Sequence, residues 1–330
     1  MGGKLRTLLA ATTLLFGIPV LAEAAPKVVV SIKPVHSLVA SIMKGVGEPE
    51  LIVDGVASPH TYQMKPSEAQ KLEAAEVVFW IGEDLEAFME KPLETLAGKA
   101  RVVELSEAPN LVKLPMREGG AFEAHDHAHD DHVTETETEH DHDHGHEEAH
   151  DHAGHGETDM HLWLSTDNAR AIAAEIAKVL TEADPGNAQI YHKNLATLDA
   201  ELGALTGEIQ QIVAPVKDKP FIVFHDAYQY FEKQFGVAAA GSITVSPETL
   251  PGAQRIAEIQ AKVKEVGAKC VFAEPQFEPK LPEGVLEGTD ARSGTLDPEA
   301  GGLEKGENLY TELLKGIARS LRGCLGGEAK

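Results

Sequence analysis

The chain is short of cysteine, of positive charge and of long hydrophobic runs, and each shortage excludes a class of function. Cys270 and Cys324 are its two cysteines, too few for a disulfide-rich scaffold or a thiolate zinc cluster. Lys and Arg number 29 against 53 Asp and Glu, the formal net charge is -24, and no Lys or Arg occurs from Glu118 to Ala169. Binding to a phosphate backbone needs a basic surface, so nucleic acid is excluded as a partner and cations are favoured. Beyond the first residues no stretch reaches the roughly 18 apolar residues of a membrane span. Outside the His-rich run, where His146 to His150 match it within a charged low-complexity stretch and on no helix-period segment, the His-Glu-x-x-His motif is also missing, which argues against an enzyme.

What is present begins with "MGGKLRTLLAATTLLFGIPVLAEAAPK". Lys4 and Arg6, the apolar run from Leu8 to Leu21 and the small-residue pattern Ala22-Glu23-Ala24 read as a signal peptide, residues 1–24. No Cys follows the run, so the mature chain is expected without a lipid anchor, in a bacterial periplasm. That oxidising compartment favours one disulfide between Cys270 and Cys324 over a thiolate metal site, two separate buried thiols being the alternative.

At 330 residues the chain is long enough for two lobes, since single cores seldom grow past ~250 residues. Short apolar runs ("KVVVSI", "AEVVFWIG", "RVVEL", "KPFIVF", "GSITV", "KCVFAE") alternate with helix-period segments, the pattern of α/β lobes with parallel sheets. A first helix is expected from about Ser37. Leu195, Leu198, Leu202, Leu205, Ile209 and Ile212 step by three and four along one buried stripe. The helix from Asn187 to Val213 would be ~40 Å long at 1.5 Å per residue, long enough to brace two lobes rigidly. The expected organisation is an N-terminal lobe over 25–185, a linking helix over 186–214 and a C-terminal lobe over 215–330. A His/Asp/Glu-rich insert interrupts the first lobe over about 121–158, and low hydrophobicity with high charge predicts disorder there.

Five of the 16 histidines lie outside that insert. Three stand at the ends of apolar runs, where α/β sheets place ligand sites: His60 in "DGVASPHTYQMKPSE", His161 opening "MHLWLS", read as a strand, and His225 ending "FIVFH". Each alone reads as a hydrogen-bonded structural residue. Together they suit Zn²⁺, which takes three protein nitrogens and a fourth ligand. His36 is expected to pack at its helix start and His192 to face solvent. Asp297, in "GTLDPEAGG", is a candidate fourth ligand or an Asx-turn residue. Glu274, ending "KCVFAE", is read as a hydrogen-bonding residue between the lobes.

With these residues the chain resembles the zinc-specific periplasmic binding proteins of bacterial ABC transporters, the ZnuA type. The segments that carry the resemblance are "DGVASPHTYQMKPSEAQKLEAAEVVFWIGEDLEAFMEKP", "MHLWLS", "FIVFHDAYQYFEKQFG", "PGAQRIAEI", "CVFAEPQF" and "GTLDP", in that order over nearly the whole mature chain. The resemblance implies two (β/α) lobes joined by one long helix, with metal in the cleft between them. It assigns His60, His161 and His225 as zinc ligands and pairs Cys270 with Cys324. It also implies a monomer that delivers Zn²⁺ to a membrane permease. Manganese members of the wider superfamily carry Glu at the place of His225, in keeping with imidazole suiting Zn²⁺ and carboxylate suiting Mn²⁺. Some zinc members have an acidic fourth ligand just before the first metal histidine; here that residue is Pro59, which leaves water or Asp297 for the fourth position.

The insert holds His125, His127, His129, His132, His140, His142, His144, His146, His150, His152 and His155 among acidic residues. Its composition predicts weak auxiliary metal capture, each event ordering flexible chain, with tethering keeping captured ions near His161. Two other readings remain at this level. One is a zinc, nickel or copper buffer acting through the tract. The other is a zinc hydrolase with Glu274 as base.

Overall fold

The computed structural model describes residues 25–117, 121–122, 158–244, 247, 251–278 and 280–327. The expected signal peptide, residues 1–24, and the tract histidines His125 to His155 lie outside the described residues.

Val28–Val30 (β1), Glu50–Leu51 (β2), Val77–Trp80 (β3) and Arg101–Glu104 (β4) form a parallel sheet in the order β2-β1-β3-β4. Phe221–His225 (β5), Ala239–Thr244 (β6), Cys270–Ala273 (β7) and Arg292–Thr295 (β8) form a second parallel sheet, β6-β5-β7-β8. The helices are Lys33–Met43 (α1), Pro66–Ala74 (α2), Glu90–Leu96 (α3), Thr166–Ala183 (α4), Ala188–Val213 (α5), Gln229–Phe235 (α6), Ala253–Val266 (α7), Lys280–Leu286 (α8) and Leu309–Gly326 (α9). The expected α/β class with two parallel-sheet lobes is what the chain adopts.

Period-two alternation decides the two faces of the second sheet. Phe221 and Val223 enter the core shared with the first half of the chain, while Ile222 and Phe224 pack with Ile259 and Val263 of α7 on the other face. Both faces are covered, as parallel strands require.

The long helix α5 runs for 26 residues, about 39 Å. Leu198, Leu202, Leu205 and Ile209 of the expected stripe are buried, and Leu195 and Ile212 are partly buried. They pack against α1, α4 and α9, so one continuous apolar core reaches from the first sheet to the second. Burying each of those Leu side chains contributes ~1.5–3 kcal/mol, which makes α5 a brace rather than a tether. A disulfide links Cys270 on β7 to Cys324 on α9, with the Cα atoms 6.2 Å apart.

Two local expectations are corrected. The first helix starts at Lys33 rather than near Ser37, because Pro34 occupies its first turn, where the missing N–H costs no helical bond. "MHLWLS" is not a strand: Leu162–Leu164 form a 3-10 turn. All three side chains point into the core, and the Ser165 hydroxyl accepts from the backbone of Asp167 and Asn168 to start α4 at once.

Candidate metal centre

Each of the three histidines is held by a short, locally determined element. His60 lies in the 3-10 turn Pro59–Thr61, which Pro59 initiates. His161 precedes the turn that carries Trp163, whose indole N–H donates to the Pro298 carbonyl at 2.9 Å and ties this segment to the second lobe. His225 is the last residue of β5.

The fold brings these three together from 101 and 64 residues apart. His60 Nε2 lies 3.2 Å from His161 Nε2, and His225 Nε2 lies 3.2 Å from the same atom. One ligand atom from each falls within 4.8 Å of the others. In tetrahedral zinc with Zn–N of ~2.0–2.1 Å, two nitrogens stand ~3.3 Å apart, so the spacing fits that ion.

The far side of two rings fixes which nitrogen faces inward. His161 Nδ1 is 2.8 Å from Asp159 Oδ1, which also accepts from the His161 backbone N–H at 3.0 Å. His225 Nδ1 is 2.9 and 2.8 Å from the two Glu274 oxygens, and the Tyr228 hydroxyl donates to Glu274 at 3.1 Å. With Nδ1–H given to a carboxylate, each Nε2 bears a lone pair. Two facing lone pairs cannot hydrogen-bond to one another. A divalent cation between them would resolve the contact.

Burial, and then the neighbouring His161 and His225, hold His60 well below the ordinary imidazole value, keeping it neutral. At His225 burial pulls down, but the carboxylates of Glu274, Asp226 and Asp159 together outweigh it and the net direction is up. Carboxyls crowd the surrounding cleft. Burial, followed by Asp297, Glu86 and Glu274, pushes buried Glu299 well above the carboxylate range. Burial likewise pushes Glu86 up to about 7.

Asp297 stands outside the three-histidine group. Its Oδ1 accepts from Gln276 Nε2 at 2.7 Å and from the Glu299 backbone N–H at 3.1 Å, an Asx-turn arrangement. Glu274 corrects its expected role: it bonds His225 and Tyr228 within the second lobe rather than bridging the lobes. Its position behind the ring, away from the converging Nε2 atoms, also removes it as a general base. His36 is buried in α1 with Nε2 3.0 Å from the Pro49 carbonyl, and His192 is exposed. Asp159 escaped the sequence reading, although its place two residues before His161 was a usable sign. For Glu274 the sign is register: β5 pairs Phe221 with Cys270, and the same offset sets His225 beside Glu274.

The model of the family described as zinc-uptake complex component A, periplasmic (ZnuA), matches residues 28–324. The chain belongs to the ZnuA family. A member from Brucella abortus (strain 2308), a high-affinity zinc uptake system protein ZnuA, is 54% identical over 304 residues, covering 90% of this chain and 91% of its own. A crystal structure of ZnuA superposes with a TM-score of 0.71 at 26% identity, covering 91% of this chain and 99% of that one. A ZnuA deletion mutant with zinc bound gives 0.70, again at 26% identity, over 91% and 98%. ZnuA members are solute-binding components of zinc uptake, so the three histidines belong to a receptor and not to an enzyme. Among the described residues no helix is long and apolar enough to cross a membrane.

Proposed function

We propose that the chain captures one Zn²⁺ in the periplasm through the Nε2 atoms of His60, His161 and His225 and hands it, as a monomer, to the membrane permease of an ABC importer. One observation carries this reading: three imidazole nitrogens converge, with His161 Nε2 at tetrahedral-zinc spacing from both of the others, and two of the rings are fixed from behind by carboxylates. Zinc is cargo here. Water takes the fourth position, and Asp297 is the nearby carboxylate that can replace it. The tract histidines act as a store tethered, in sequence, just before His161. On composition alone, mixed His and acidic side chains form a weaker store than three imidazoles already brought together.

Calorimetry on the mature chain tests the assignment. Changing His60, His161 and His225 together to Ala is expected to abolish the single tight zinc event while leaving weak, multiple binding. Removing residues 123–157 is expected to do the reverse. If that deletion abolishes tight binding, the tract is the functional site and the chain is a metal buffer.

A further inference from the structure

The segment between β4 and α4 also ties the lobes together. Val112 stays with the first lobe, exchanging backbone bonds of 2.8 and 3.0 Å with the Asn168 side chain. Two residues on, the Leu114 N–H donates to the Tyr230 hydroxyl of α6 at 3.0 Å, and that hydroxyl donates to the Asp159 carbonyl at 2.6 Å. Asp159 N–H donates back to the Leu114 carbonyl at 2.9 Å, and Pro115 bridges Thr158. The irregular segment that bears Arg117 is thus clamped to the residue that orients His161.

From this segment the Arg117 guanidinium reaches two buried carboxylates of the second lobe. Nε is 2.9 Å from Asp226 Oδ2, and Nη2 also donates to Asp226. Nη1 and Nη2 are 2.8 and 3.0 Å from the Glu232 oxygens. The Phe122 ring lies 4.1 Å from the guanidinium carbon, covering the cluster. Asp226 and Glu232 are only 7% and 6% exposed, so separating them from Arg117 leaves buried charge uncompensated. Asp226 follows His225 directly in the chain.

We propose that Arg117 is a positioning residue for the metal site, a latch that holds His161 against His225 and sets how fast zinc leaves. The proposal rests on the reading of the three histidines as the zinc site. Release requires His225 and His161 to separate, and that motion pulls Asp226 away from the segment on which Arg117 sits. Breaking a buried, hydrogen-bonded charge pair acts on dissociation far more than on association.

The test is stopped-flow transfer of zinc from the full mature chain, loaded with one equivalent, to a chromophoric chelator. Arg117→Met should release zinc about 30-fold faster or more, with association changed less than about threefold. Arg117→Lys, which keeps the charge and loses the fork, should fall between Met and wild type. A residue that only supports the fold would lower the melting temperature of the metal-free protein without changing release. A folded Arg117→Met protein with wild-type release overturns the proposal. If Arg117→Met does not fold, Glu232→Gln, which weakens one arm of the latch, replaces it. Unchanged release in both Glu232→Gln and Arg117→Lys would be equally decisive against the latch. Absence of a slow zinc phase in the wild type would instead refute the histidine assignment.

Discussion

Replacing Glu274 with Gln keeps a hydrogen-bond acceptor behind His225 and removes the charge. Both Glu274 oxygens sit within 2.9 Å of His225 Nδ1 in a site where neither side chain meets solvent, so the loss is unscreened. Substituting such an outer partner costs about 10–100-fold in metal affinity at pH ~8. The pH profile should change shape as well. In the wild type Glu274, with Asp226 and Asp159, overcomes burial and raises His225, so proton competition begins above the ordinary ~6.5 and then costs about tenfold in affinity per pH unit. In the variant burial is the largest remaining influence, His225 titrates lower, and the decline begins at lower pH. The two affinity curves should therefore converge on acidification. Competition titrations against a chelator, from pH ~8 to ~5 at one equivalent of zinc, measure both effects. Parallel curves, or a loss under about threefold at pH ~8, would refute the assignment of Glu274 as the charge that tunes His225.

Other outcomes follow from the same structure. Glu86, raised from 4.5 to about 7 by burial, is an acid whose folded value exceeds its unfolded one. Its contribution to stability is complete below pH ~4.5 and declines as pH rises toward 7, by about 3 kcal/mol in all. Denaturant melts of metal-free Glu86→Gln should accordingly show a gain at pH ~8 and none at pH ~4; equal shifts at both would contradict the buried-acid account. Cys270 and Cys324 close a loop with a sequence separation of 54, for which chain entropy gives about 4 kcal/mol. Changing both to Ser should lower stability by that order while zinc stoichiometry stays at one, as read by calorimetry at low temperature. Asp159→Ala should cost zinc affinity about 10–100-fold, and a smaller loss than Glu274→Gln produces would show that His161 is oriented mainly by the backbone.

Much of the architecture was legible along the chain because its signals are local. The three-and-four spacing from Leu195 to Ile212 located α5, and Gly236 and Gly267, both left-handed, mark the ends of α6 and α7. Runs such as "FIVFH" located strands buried on both faces. The failures were also physical. "MHLWLS" looks like a strand because three consecutive apolar residues suit a buried strand equally well, and only the Ser165 cap shortened it to a turn. "RSGT", which forms β8, has no apolar signal of its own and pairs only because β7 lies beside it.

By itself the sequence determined the fold class, the long brace, the metal-suited residue types at His60, His161 and His225, and the pairing partners available to two cysteines. Tertiary structure decided everything that depends on distance across the chain. It brought His60 and His225 each to 3.2 Å from His161, turned Nε2 inward by setting Asp159 and Glu274 behind, committed Asp297 to a turn, and gave Arg117 two acids in the opposite lobe. The division has one cause. Period and capping act over a few residues, whereas a ligand site is made by strand register and lobe packing between residues that no local pattern connects.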